Sequence, residues 1–134
     1  MKAKLAVVAT VVGLLGSSAA LIAHHSFSNE YDATKTFSVK GSVSKIEWTN
    51  PHVRFYVDVT DEAGKVKTWN FELASPSALV RNGWTSRTLK VGDEIAIQGY
   101  AAKVAPNRGN ARSVVTADGR SLFAGAADDK APGQ

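Results

Sequence analysis

The stretch Gly41–Val59, GSVSKIEWTNPHVRFYVDV, constrains the fold more than any other part of the chain. Just before it and into it, Phe37, Val39, Gly41 and Val43 alternate with Ser38, Lys40, Ser42 and Ser44. A period of two is that of a strand with one buried face. The phase then slips, because Ile46 and Trp48 are apolar at even positions. One extra residue near Ser44-Lys45 restores a single buried face, and a bulge of that kind curls a strand towards a barrel. Thr49-Asn50-Pro51 ends the run, since Pro51 cannot donate to a ladder and Asn-Pro favours a turn. From His52 the alternation resumes, with Val53, Phe55, Val57 and Val59 on one face and Arg54, Tyr56 and Asp58 on the other.

The remaining segments complete an all-β pattern. Asp61-Glu62-Ala63-Gly64 is a turn, and Val66–Leu73 returns as a second hairpin strand with Trp69, Phe71 and Leu73 on one face. Ser75-Pro76 is a helix start, Ser as cap and Pro in the first turn, and Gly83 suits the left-handed end of a short helix near Pro76–Asn82. Trp84 follows, placed to plug one end of a barrel. Ile95 and Ile97 mark a fourth strand, Ala105–Asn110 (APNRGN) a loop, Ala111–Thr116 a fifth strand, and Ser121–Phe123 a brief pairing beyond the Asp118-Gly119 turn. One helix between the third and fourth of five strands is the order of a small OB-like Greek-key barrel; a β-sandwich is the alternative.

The N-terminus reads as an export signal. Lys2 and Lys4 precede the apolar Leu5–Leu15, and Gly16–Ala20 supplies small residues for cleavage between positions 19 and 23. Left uncleaved, the same segment is an anchor, the one membrane association the sequence suggests. The expected layout is a leader over 1–23, an extended arm over 24–36 tacked down by Phe27 and Tyr31, a barrel over 37–123 and a disordered tail over 124–134. The expected location is periplasmic or secreted. Without Lys2 and Lys4, 14 basic residues face 12 acidic ones, and net charge falls from +4 to +2. Near balance argues against a nucleic-acid partner. There is no cysteine, so neither a disulfide nor a thiolate metal site can form.

HHSF at 24–27, Tyr31-Asp32, the Gly41–Val43 strand, Trp48-Thr49-Asn50-Pro51-His52, Trp69, Gly83-Trp84 and Gly92-Asp93 resemble a family of small secreted proteobacterial proteins of unknown function. The resemblance runs from His24 to about Leu122. It implies an exported OB-like barrel and carries over no activity, substrate or catalytic residue. Leu21-Ile22-Ala23 departs from the cleaner small-x-small pattern before the paired histidines, which leaves the mature start open.

Three imidazoles, His24, His25 and His52, are the candidate metal ligands, for copper or alternatively zinc. Cleavage after Ala23 gives His24 a free α-amine beside its ring. Glu30 and Asp32 are candidates to orient the ligating rings. The bland reading is that paired histidines near a chain end are solvated and that His52 hydrogen-bonds its turn. Trp48, Arg54 and Tyr56 form a candidate ligand or partner face, since OB barrels stack ligands on exposed aromatics; Trp48 is otherwise a core or barrel-end residue. No GxSxG, P-loop or Ser/His/Asp motif is present. The expectation is an exported binding module. The alternatives are a structural protein docking an envelope partner, and a glycan- or peptide-binding barrel.

Overall fold

The structure is a computed structural model that describes residues 27–126. The chain divides into two compact units, Met1–Glu30 and Tyr31–Gln134. Of the first, residues 27–30 are described and form a helical turn. The expected leader, His24, His25 and residues 127–134 of the expected tail lie outside the described residues.

Among its described residues the second unit is all-β apart from one short helix. Its elements are β1 (Tyr31–Glu47), β2 (Arg54–Thr60), β3 (Val66–Glu72), α1 (Pro76–Arg81), β4 (Glu94–Ala102), β5 (Arg108–Thr116) and β6 (Ser121–Phe123). Antiparallel pairings join β2 to β3, β1 to β2, β1 to β4 and β4 to β5. A parallel pairing of Asn70, Phe71 and Glu72 with Arg108, Gly109 and Asn110 joins β3 to β5. The five strands therefore close in the order β1-β2-β3-β5-β4, the OB-fold order, rather than stacking as two sheets. β6 is a sixth strand, hung antiparallel on β5.

The 17-residue β1 serves two neighbours, pairing first with β4 and then with β2. Gly41 stands where it passes from one to the other, and a Cβ there would collide with the Asp58 carbonyl oxygen. The β1–β2 register shifts between Val43 and Lys45, so Ser44 is the extra residue of the expected bulge. Beyond it Ile46 and Trp48 turn towards the core at even positions. The strand begins at Tyr31, six residues before the alternation at Phe37, and the register skips between Tyr31 and Thr36. The segment read as an arm is thus largely strand from Tyr31 on.

Val43, Phe55, Val57, Phe71, Ile95, Ile97 and Val114 fill the barrel, each at most 1% exposed. Burial on this scale stabilises by roughly 1.5–3 kcal/mol per large side chain. The helix closes one end. Ser75 caps it, its hydroxyl accepting from Ala78 N at 3.3 Å, and Gly83 ends it at φ 88°. Leu79, Trp84 and Leu89 bury there. Two boundaries differ from the sequence reading. Arg108-Gly109-Asn110, read as loop, is the strand segment that closes the barrel. Ala124, placed in the tail, is fully buried, with its N–H donating to Arg112 O and its carbonyl accepting from Ala74 N.

Candidate functional site

The outer face of β2 and β3 carries a polar row that the core does not require. Outward residues are those out of phase with Phe55, Val57 and Phe71: Arg54 and Tyr56 on β2, Asn70 and Glu72 on β3. Arg54 donates from Nη2 to Glu72 Oε2 at 2.6 Å and from Nη1 to Asn70 Oδ1 at 3.3 Å. The pair is largely shielded, with side chains 26% and 12% exposed. Charge-assisted bonds of this length are strong where water is partly excluded.

His52 sits just before β2, after the Asn50-Pro51 turn, with its side chain 46% exposed. Its Nδ1 lies 3.1 Å from Leu73 O and 3.7 Å from Glu72 Oε1. A carbonyl oxygen can only accept, so Nδ1 carries the proton and Nε2 is left with its lone pair. Glu72 thus stands between a cation and an imidazole. Tyr31, 2% exposed at the start of β1, joins this neighbourhood. Its phenol is pushed up to about 12, first by burial and then by the Glu72 charge, while Arg108 and Arg54 pull the other way.

The other expected site residues are placed as follows. Tyr56 donates to Glu47 Oε2 at 3.4 Å, with Lys45 Nζ 5.0 Å from its ring centroid and 2.7 Å from Glu47 Oε1. The Lys45 hydrogen bond first, then the Lys45 charge and the Tyr56 bond, hold the Glu47 carboxyl below its usual range against the opposing pull of burial. Trp48 is half-buried and packs against the core, which makes it a barrel-end residue more than an open stacking platform. Asp32 accepts from Thr34 N and Oγ1 at 2.9 and 2.6 Å, and those bonds hold its carboxyl low. Both bonds fall on Oδ1, and Oδ2 faces Lys35 Nζ at 3.8 Å, so the carboxylate is engaged locally. Glu30 ends the helical turn of the first unit and is exposed.

Among the described residues no group of three or more His, Asp or Glu stands close enough to hold an ion. His52 is the one expected ligand that the structure describes, and its ring offers one nitrogen. Glu72, Asn70, Arg108 and Tyr31 were not among the expected site residues. Their signal in the sequence was limited to polar positions alternating with Phe71 and to a Tyr in a polar arm.

No helix among the described residues is long and apolar enough to cross a membrane. No curated protein matches the chain. The model of a family of unknown function, DUF6152, matches residues 11–112, a span that takes in β1 to β4 and runs into β5. That match covers the larger part of the chain and nearly all of the barrel, and the protein belongs to this family of unknown function, DUF6152.

Proposed function

We propose that the chain is an exported binding module that takes a divalent metal, copper first and zinc as the alternative, with His52 as its barrel-held imidazole. One observation supports this reading above others: the Leu73 carbonyl holds Nδ1 as a donor, so Nε2 is the ligating nitrogen, on a ring steadied by a turn and a strand. A carbonyl or carboxylate behind the ring is the usual support of a metal-bound imidazole, and Glu72 adds negative charge there. His24 and His25 are the further nitrogens the sequence offers, joined by the His24 α-amine if the leader is cut after Ala23. Export rests on the leader pattern.

The test is the intact mass of protein purified from the periplasm, measured under native conditions before and after Cu(II). The expected mass begins at His24 and gains one copper. His52→Ala is expected to weaken Cu(II) binding by about tenfold or more with the circular dichroism spectrum unchanged; unchanged affinity removes His52 from the site. A chain that retains no copper leaves the second reading, a non-catalytic module that docks an envelope protein or small ligand on the β2–β3 face. The shielded Arg54–Glu72 pair favours that alternative.

A further inference from the structure

A cleft of about 380 Å³ opens between the loop that joins α1 to β4 and the turn that joins β5 to β6. Arg87 and Lys90 line it from the loop, and Arg120 lines it from the turn. Between the two loop cations in the chain is Leu89, 4% exposed, which belongs to the core and pins the loop to the barrel end. Hydrogen bonds fix the rest of the loop. Thr85 N donates to Thr88 Oγ1 at 2.7 Å, and Arg87 N donates to Thr85 Oγ1 at 3.2 Å. Lys90 N donates to Asp93 Oδ2 at 2.9 Å, and Asp93 N returns to Lys90 O at 3.1 Å. The backbone beneath both cations is therefore held before a ligand arrives, which lowers the entropy lost on binding.

Among the described residues the Arg87 guanidinium and the Lys90 ammonium meet no acceptor or carboxylate. Arg120 gives Nε to Asp118 Oδ2 at 3.1 Å, in a pair with side chains 60% and 62% exposed. A pair so open to water is weak, and the two Nη groups stay available to a ligand. Three carboxylates share the lining, Asp93, Glu94 and Asp118. Two of them are spent locally: Asp93 on the Lys90 amide, Asp118 on the Thr116 hydroxyl and Arg120. Glu94 alone stands unspent, exposed at the start of β4. The donors left over thus outnumber the acceptors, and they come from two sides of the cleft. One guanidinium serves a planar carboxylate; cations on two sides suit a tetrahedral group with three terminal oxygens and a charge near −2.

We propose that this cleft binds a phosphate monoester, with Arg87, Lys90 and the Nη groups of Arg120 donating to its terminal oxygens. The ester is either a free small molecule or the headgroup of a lipid, and the two sources present the same phosphate. The site shares no residue with the metal reading, and either can fail without the other.

The test titrates the protein with glycerol 3-phosphate and with glycerate, which carries a carboxylate in place of the phosphate, following backbone amide resonances. A second arm measures sedimentation with phosphatidylcholine vesicles, with and without phosphatidic acid. The phosphate ester is expected to shift Arg87, Lys90 and Arg120 saturably and to bind at least about tenfold more tightly than glycerate. Retention on the phosphatidic acid vesicles without binding of the soluble ester assigns the same phosphate to a lipid. Arg87→Gln and Lys90→Gln are each expected to weaken whichever binding is seen by about fivefold or more, with the circular dichroism spectrum unchanged. Lys67→Gln, on β3 and outside the cleft, is expected to leave it unchanged. Equal binding of the ester and glycerate, an equal loss on Lys67→Gln, or neither vesicle retention nor a shift at about 10 mM ester overturns the proposal.

Discussion

Arg54 and Glu72 face each other across the β2–β3 ladder at 2.6 Å, in a setting only partly open to water. Removing the guanidinium strands a carboxylate that keeps its desolvation cost. Arg54→Ala is expected to lower stability by about 1–3 kcal/mol, discounted from the fully buried case for partial exposure, as read from the urea unfolding midpoint. A change near zero would mean that water replaces the guanidinium at no cost. Tyr31 makes a prediction with a sign. Its phenol titrates at about 12 in the folded chain against an ordinary 10.0, so the folded state holds the proton longer. That contribution is complete below the ordinary value and is lost as pH climbs through about 12. Tyr31→Phe is expected to flatten the fall in unfolding free energy over that alkaline window relative to the parent chain. Parallel profiles for the two proteins would sink the assignment. The sequence marks Tyr31 as a residue that tacks the arm to the body and Arg54 as part of a ligand face, but not Glu72 as the neighbour of both, because Tyr31 and Glu72 are 41 positions apart and each carries only a local signal.

At the scale of elements, β1 shows how local pattern and long-range packing divide the work. The phase slip at Ser44 was legible, since a core needs Val43 and Ile46 on one face and period two cannot place both there without an extra residue. The role of Gly41 was legible only as a bend or close approach; the partner, the Asp58 carbonyl, came with the fold. Gly41→Ala is expected to destabilise by about 2–4 kcal/mol, because the obstacle is backbone of a central strand and cannot step aside. Gly64→Ala is the contrast: its φ is 79° with open space around it, and the expected loss is about 1 kcal/mol. Guanidinium unfolding of the two variants measures both, and equal losses would show that crowding at Gly41 is relieved by a shift of β2. The segment Arg108-Gly109-Asn110 was the element misread. Gly and Asn are poor strand formers, and what makes them strand is a parallel pairing with residues nearly forty positions earlier.

Across the whole molecule, closure depends on one plug. Trp84 is 1% exposed, lies tilted against the Phe55 ring with centroids 5.9 Å apart, and donates from Nε1 to Phe123 O at 2.8 Å. It thereby ties the helix end to β6 as well as filling the barrel end. Trp84→Phe is expected to cost about 2–4 kcal/mol, for the lost volume and the orphaned carbonyl together. Hydrogen exchange is expected to show β6 losing protection before the β1–β2 ladder. Uniform loss across all strands would show instead that the barrel opens as one unit. The sequence by itself determined the class of fold, the hairpin, the bulge, the capped helix and the position of His52 at a strand entrance. Each of these follows from neighbours within a few residues, where steric and hydrogen-bonding preferences act directly. Only the tertiary structure decided that β3 pairs with β5, that Ala124 is core, that Glu72 lies between Arg54 and His52, and that Arg112 lies over Tyr100. Those arrangements join residues distant in the chain, and no local preference encodes a partner that arrives only when the barrel closes.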